Sequence, residues 1–331
     1  MKLLHMHLFI CFLLSTAHSN ELPSERILII RHNNFKWISD VTTDSKGSIY
    51  VCDSRKKYIY IFDNRGYLVT ELSGGGNIQF EIPYSINLDE QENIYILDVL
   101  LNRIFQFDSF GNIKQSFSYL PKISSNFEVS SDGRIWIYHH DRLDKDLDST
   151  LIHEYDMEGN VKNTFGVKRT FPEYIDKKYI DAILEILPGD SLLVSHKYPY
   201  FFEVYHEHQL IFAFQKQEPF IEEYYLFENY GFQRKKQRAL VWKVFSLNKN
   251  LFINVIRDEG VNYKSNSNVK NFDLYLDIFR VDGTWLKRFT WDWKNKGLPL
   301  HIDSEGYLYS NFSDKPSEQG VSKWRINWDL K

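Results

Sequence analysis

Residues 44–66 read DSKGSIYVCDSRKKYIYIFDNRG, and residues 89–111 read DEQENIYILDVLLNRIFQFDSFG. The copies start 45 residues apart and align without a gap. Self-similarity at a fixed period of this length is the mark of a modular fold, in which each unit leans on its neighbours. Within one copy, a polar turn (Asp44 to Gly47) precedes an apolar strand (Ile49 to Val51). A second turn region (Asp53 to Lys56) leads to the strand Tyr58 to Phe62, and a third (Asp63 to Gly66) to Tyr67 to Leu72. Glycine stands where a tight turn needs positive φ, and aspartate can bond back to the turn backbone. With one strand ahead of the first turn, the unit is a four-stranded antiparallel meander.

Working outward, the second copy opens with Ile82 to Leu88. A third runs from Phe127-Glu128-Val129 through Ser131-Asp132-Gly133 and Ile135 to Ile137, ending at Asp156 to Gly159. A charged insertion, His139 to Ser149, lies between its middle strands. The fourth copy, from Ala182, is degenerate, and His206-Glu207-His208-Gln209 replaces its last Asp-x-x-Gly turn. A fifth begins at Leu240 and carries a polar insertion at 262–271. The sixth begins at Leu298 and ends, one strand short, at Trp324 to Trp328. Glu25 to Arg31 is a strand with no unit of its own. Pairing the two ends completes the sixth unit and removes the open edges of the ring. The expectation is therefore an all-β, six-bladed β-propeller of four-stranded antiparallel blades, closed by its N-terminal strand.

The first residues, MKLLHMHLFICFLLSTAHSNE, combine Lys2, an apolar run at Leu8 to Leu14, and Ala17 and Ser19 before Asn20. This is the pattern of a cleaved signal peptide over residues 1–19, with an apolar run too short to span a bilayer. The propeller then occupies 20–331, and the protein is expected to be secreted or periplasmic without a transmembrane segment in the mature chain. Cys11 would leave with the peptide, so Cys52 could form no internal disulfide. It lies in an apolar strand, the setting of a buried, inert thiol. The net charge of −4 gives no global attraction to nucleic acid, which is not expected as a partner. The 16% aromatic content suits strands packed sheet on sheet.

The pattern D-x-x-G-x-[IV]-[YW]-[VI]-x-D-x-x-x-x-x-I-x-x-F-D-x-x-G resembles the NHL repeat of six-bladed propellers. It is close at Asp44–Gly66 and Asp89–Gly111, with an insertion at Ser130–Gly159, and specific over roughly residues 38–166. The chain is also similar to propellers of bacterial envelopes, including TolB-like ones. The resemblance implies blades around a central channel with ligands at one end of it. It implies no single activity, since relatives include scaffolds, binding modules, lyases and lactonases.

No catalytic set stands out. Gly-x-Ser-x-Gly, the zinc-protease helix and Cys-x-x-Cys are all missing, and no cofactor is predicted. For a metal, calcium or zinc, the candidates are two. His139, His140 and Asp144, with Asp146 and Asp148, resemble the start of a calcium loop but lack its glycine and closing glutamate. His206 and His208 would share one side of an extended segment, although the site is a blade turn. The lyase resemblance would call on channel histidines, and no pattern assigns His153, His196 or His301 to that place. Gly74 to Gly76 reads as a flexible link, Arg234 to Arg238 as a solvated basic run, and Asn311-Phe312-Ser313 as a glycosylation sequon.

The expected function is a binding module for a protein, peptide or glycan, held on the face where segments 139–149, 215–239 and 260–272 project. Phe220, Tyr224, Tyr225, Phe227 and Tyr230 are its candidate contacts, because aromatics dominate binding hot spots. The alternatives are a metal-dependent lyase or lactonase with a channel site, and a structural envelope component.

Overall fold

The computed structural model describes residues 21–119, 126–139, 151–166, 182–196, 201–215, 239–258, 272–315 and 318–328. The signal-peptide expectation for residues 1–19 lies outside them. The strands form six four-stranded antiparallel sheets, and in each the chain runs from an inner strand outward. The inner strands are Ile38–Thr43, Pro83–Leu88, Phe127–Val129, Ala182–Leu187, Ala239–Asn248 and Leu298–Ile302, which number the blades 1 to 6. The outermost strand of blade 6 is Ser24–Arg31, paired antiparallel to Glu318–Ile326 with Ile29 opposite Ser322. The ring thus closes by joining the two ends of the chain.

Alternation along each strand builds the core. In blade 1, Ile49 and Val51 face blade 6, and Tyr50 and Cys52 face blade 2. A strand buried on both faces reads as a continuous apolar run, as IYVCD and IYILD do. The result is six apolar clusters, one between each pair of adjacent blades, including the pair that spans the closure. Cys52 is fully buried, and burial pushes its thiol well up, so it is an inert core residue.

The repeated aspartates have distinct tasks. Asp44, Asp89 and Asp303 each accept the backbone N–H four residues on and the tyrosine hydroxyl six residues on, from Tyr50, Tyr95 and Tyr309. The aspartate that closes the second strand works at the opposite face. Asp53 accepts N–H groups from Lys36 and Trp37, ahead of the inner strand, and from Arg55 and Lys56, in the turn after the second strand. Asp98 does the same for Glu81, Ile82, Leu100 and Leu101. The turn chemistry read from the repeat therefore also ties the segment that enters a blade to that blade's second strand.

Two local readings change. Gly74–Gly75 pairs with Ile78–Gln79 as a two-residue hairpin, where a flexible link was expected. A one-turn helix, Trp293–Lys296, capped by Asp292, joins blades 5 and 6.

Candidate functional site

The inner strands enclose a channel with a cavity of about 120 Å³, lined from all six blades. Residues two apart on one strand share a side, so each blade offers two levels. The upper level holds Asp40, Ser85, Asn126 and Lys243, and the lower holds Thr42, Asn87, Glu128, Glu185 and His301. Asp40 is the hub. It accepts from Lys243 Nζ of blade 5 at 2.8 Å, from Ser85 Oγ of blade 2 at 2.8 Å and from the Ile86 N–H at 3.2 Å. Three blades meet on one carboxylate. Lower down, Thr43 Oγ1 lies 3.0 Å from His301 Nε2, Asn87 Nδ2 donates to the Phe127 carbonyl at 2.6 Å, and the Ser246 N–H donates to Glu185 at 2.6 Å.

Three carboxylates thus surround one ammonium. Burial disfavours the charge on Lys243, but the ion pair with Asp40 overcomes it and the lysine pKa rises. Burial, then the neighbouring Glu185 and Asp40 charges, push Glu128 well above the usual carboxylate range. Burial pushes Glu185 up to about 7, against the Ser246 hydrogen bond and Lys243. Burial also lowers His301 to about 4, which leaves a neutral imidazole near neutral pH. Below this level, a second cavity of about 330 Å³ opens on the face of the short turns, lined by Asp89, Glu90, Ser131 and Asp190 and sharing Glu128 with the channel.

The sequence candidates fall elsewhere. His139 ends the second strand of blade 3. His140 and Asp144 lie outside the described residues, as do Phe220, Tyr224, Tyr225, Phe227 and Tyr230. His206 and Gln209 flank a tight turn whose two residues, Glu207 and His208, both have positive φ, so the segment is not extended and the two imidazoles take different partners. His206 Nδ1 meets Ser191 Oγ at 3.2 Å, while His208 reaches across to Glu154 of blade 3. Glu154, despite its burial, is held below the usual carboxylate range by bonds from His208, Trp136 and Asn163. Its role there is to tie blade 3 to blade 4. His196 forms a buried pair with Glu203 at 2.9 Å. Among the described residues, no group of three or more His, Cys, Asp or Glu side chains is placed to hold a metal ion.

The channel residues Asp40, Glu128, Glu185, Lys243 and His301 were not picked out by sequence reasoning. The inner strands of blades 1, 2, 5 and 6 each carry a bulge, at Ser39, Tyr84, Trp242 and Leu300, just ahead of the channel residue. A bulge inserts one residue and reverses the alternation from which an inward-facing list would be drawn. The one signal available was a charged or polar residue four or two positions ahead of each turn aspartate, as in Asp40, Ser85 and Asn87.

These features define a propeller with a polar channel. Residues 31–206 match the profile of DUF5128, described as a 6-bladed beta-propeller, and the chain belongs to that family. No curated protein matches the chain. Solved structures similar to it include a candidate exported protein from Bacteroides fragilis, at 10% identity and TM-score 0.63, covering 94% of this chain and 96% of that one. A DUF4221 family member from Bacteroides vulgatus is 11% identical with TM-score 0.61, covering 93% and 99%. Virginiamycin B lyase from Staphylococcus aureus is 11% identical with TM-score 0.52, covering 93% and 100%. At such identities the likeness is one of fold. Among the described residues, no helix is long and apolar enough to cross a membrane.

Proposed function

We propose that the protein is an exported, NHL-like propeller that binds a protein, peptide or glycan without chemical turnover. The observation that carries this reading is how the channel groups are used. Asp40, Asn126, Asn87 and Glu185 are committed to hydrogen bonds that join blades, the work of a rigid frame. Topology adds support for the binding face. The described strands that flank 140–150 and 259–271 join second to third strands, and those that flank 216–238 join one blade to the next. In a ring of meanders all of these strand ends fall on one face, opposite the short Asp-x-x-Gly turns. Export is supported by the signal-like start of the chain and by the description of the Bacteroides fragilis structure.

One observation favours the second reading, a metal-dependent lyase or lactonase. Acidic and imidazole side chains from blades 1, 3, 4 and 6 do face one channel. Purification from the native host after mild cross-linking, with mass spectrometry and elemental analysis, separates the two. The binding reading expects a stoichiometric partner and no turnover of cyclic esters. A lone propeller that carries stoichiometric calcium or zinc and opens a lactone would establish the enzyme instead.

A further inference from the structure

The ion pair at the hub of the channel has an asymmetry that a plain salt bridge does not need. Asp40 and Lys243 are 203 residues apart in the chain and belong to blades 1 and 5. The ammonium sits on one carboxylate oxygen, Oδ1, at 2.8 Å. The other oxygen, Oδ2, takes two different donors, Ser85 Oγ at 2.8 Å and the Ile86 N–H at 3.2 Å. A nitrogen against one oxygen of a carboxyl group, with two fixed donors on the other, is an arrangement suited to acyl transfer. The donors stand where negative charge develops when the nitrogen adds to the carbon.

As ions, the two groups are incompletely matched to their surroundings. An ammonium carries three N–H donors. Among the described residues, Lys243 Nζ makes one hydrogen bond, the one to Asp40. Asp40 is buried, and a pair of charges taken out of water carries a desolvation penalty. A secondary amide in the same place needs less. Its N–H is a single donor, and its carbonyl oxygen accepts the two bonds that Ser85 and Ile86 already supply. Glu128 lines the same cavity, and burial keeps its carboxyl protonated, so it can carry a proton between neighbours.

We propose that Lys243 and Asp40 condense to an isopeptide bond that joins blade 5 to blade 1 across blade 6. The ammonium passes one proton along its hydrogen bond to Asp40 Oδ1 and gains a free electron pair. Nζ then adds to Cγ, and Oδ2 takes up negative charge under the Ser85 hydroxyl and the Ile86 N–H. A second proton leaves Nζ and reaches Oδ1 by way of Glu128. The Cγ–Oδ1 bond breaks and one water departs into the cavity of about 120 Å³. Both hydrogens of that water come from the ammonium, the net charge is unchanged, and no oxidant or external reagent is needed. The bond forms once per chain, and it stands apart from the binding reading above. It would make the frame of the propeller covalent at the place where the ring closes.

The test is peptide mapping of the purified full chain after incubation at neutral pH. Trypsin cuts after Lys36, Lys46, Arg238 and Lys249, and an acylated Lys243 resists it. The expected product is a branched peptide, 37–46 joined to 239–249, lighter by one water than the sum of its parts. Lys243→Arg keeps the charge but offers no amine, and it should yield no branched peptide and an intact mass without the loss of water. Ser85→Ala removes one donor from Oδ2 and should slow formation of the bond about a hundredfold in a time course after refolding. Circular dichroism shows that each variant is folded. A parent chain that yields 37–46 unlinked, with cleavage after Lys243, would overturn the proposal and leave an ion pair. A bond that forms in Ser85→Ala as fast as in the parent would overturn the part given to the Oδ2 donors.

Discussion

The carboxylates of Asp53 and Asp98 each gather four backbone N–H groups from two separate loops, in sites fully closed to solvent. Removing such an acceptor strands several donors at once, and each buried unpaired donor costs about 1–3 kcal/mol. Asp53→Ala should therefore destabilise the fold by about 3 kcal/mol or more in urea denaturation. Glu185 behaves in the opposite sense. Its carboxyl rises from an ordinary value of 4.5 to about 7 in the folded protein. Below about pH 4.5 the folded and unfolded chains both hold the proton. Between 4.5 and 7 the unfolded chain gives it up first, so stability falls as pH rises, and the loss is complete above about 7. Glu185→Gln lacks this term. Its stability relative to the parent should rise across that window and level off, above it, at about 3 kcal/mol over the low-pH difference, read from melting curves at a series of pH values.

At the scale of elements, the repeat was legible because its turns impose residue types. Asp-x-x-Gly places a glycine with φ between +79° and +87° at positions 47, 66, 111, 159 and 306. Two glycines separate strain from crowding. A Cβ at Gly159 would come within 2.7 Å of the Phe117 ring, whereas one at Gly189, at a similar φ, meets nothing within 4 Å. Gly159→Ala should cost about 1–2 kcal/mol more than Gly189→Ala by equilibrium denaturation. The same local chemistry concealed the site. Alternation gives strands and their buried faces, but a bulge such as that at Tyr84 leaves no mark in the sequence, and it decides that Ser85 meets Asp40. His206-Glu207-His208 drew interest as a ligand pair because extended spacing was assumed, while positive φ at two residues makes it a turn. What reasoning from residue types could not supply was register.

For the whole molecule, the count of blades with one spare strand at the start foretold the closure, and the structure shows why it matters. Leu28 and Ile30 of the first strand pack on blade 1, in the cluster that also holds Tyr309 and Val321 of blade 6. Deleting residues 24–31 would open the ring at one interface and expose a long strand edge. The truncated chain should lose at least about 5 kcal/mol, comparable with the total stability of an ordinary domain, and aggregate on size-exclusion chromatography. Closure also fixes the channel, since Asp40 and Lys243 belong to blades 1 and 5 and meet across blade 6, which the two chain ends share. A propeller held this way presents its two faces rigidly. One carries short turns and an acidic cavity, and the other carries the strand ends of the insertions and the exposed Tyr84.

The most direct measurement places a photo-reactive amino acid at position 84, and separately at Glu90 on the opposite face, and recovers covalent adducts from the native host. The account predicts a single adducted ligand from position 84 and none from position 90. Adducts from position 90 alone would contradict it, because they would put the ligand at the acidic cavity under the short turns.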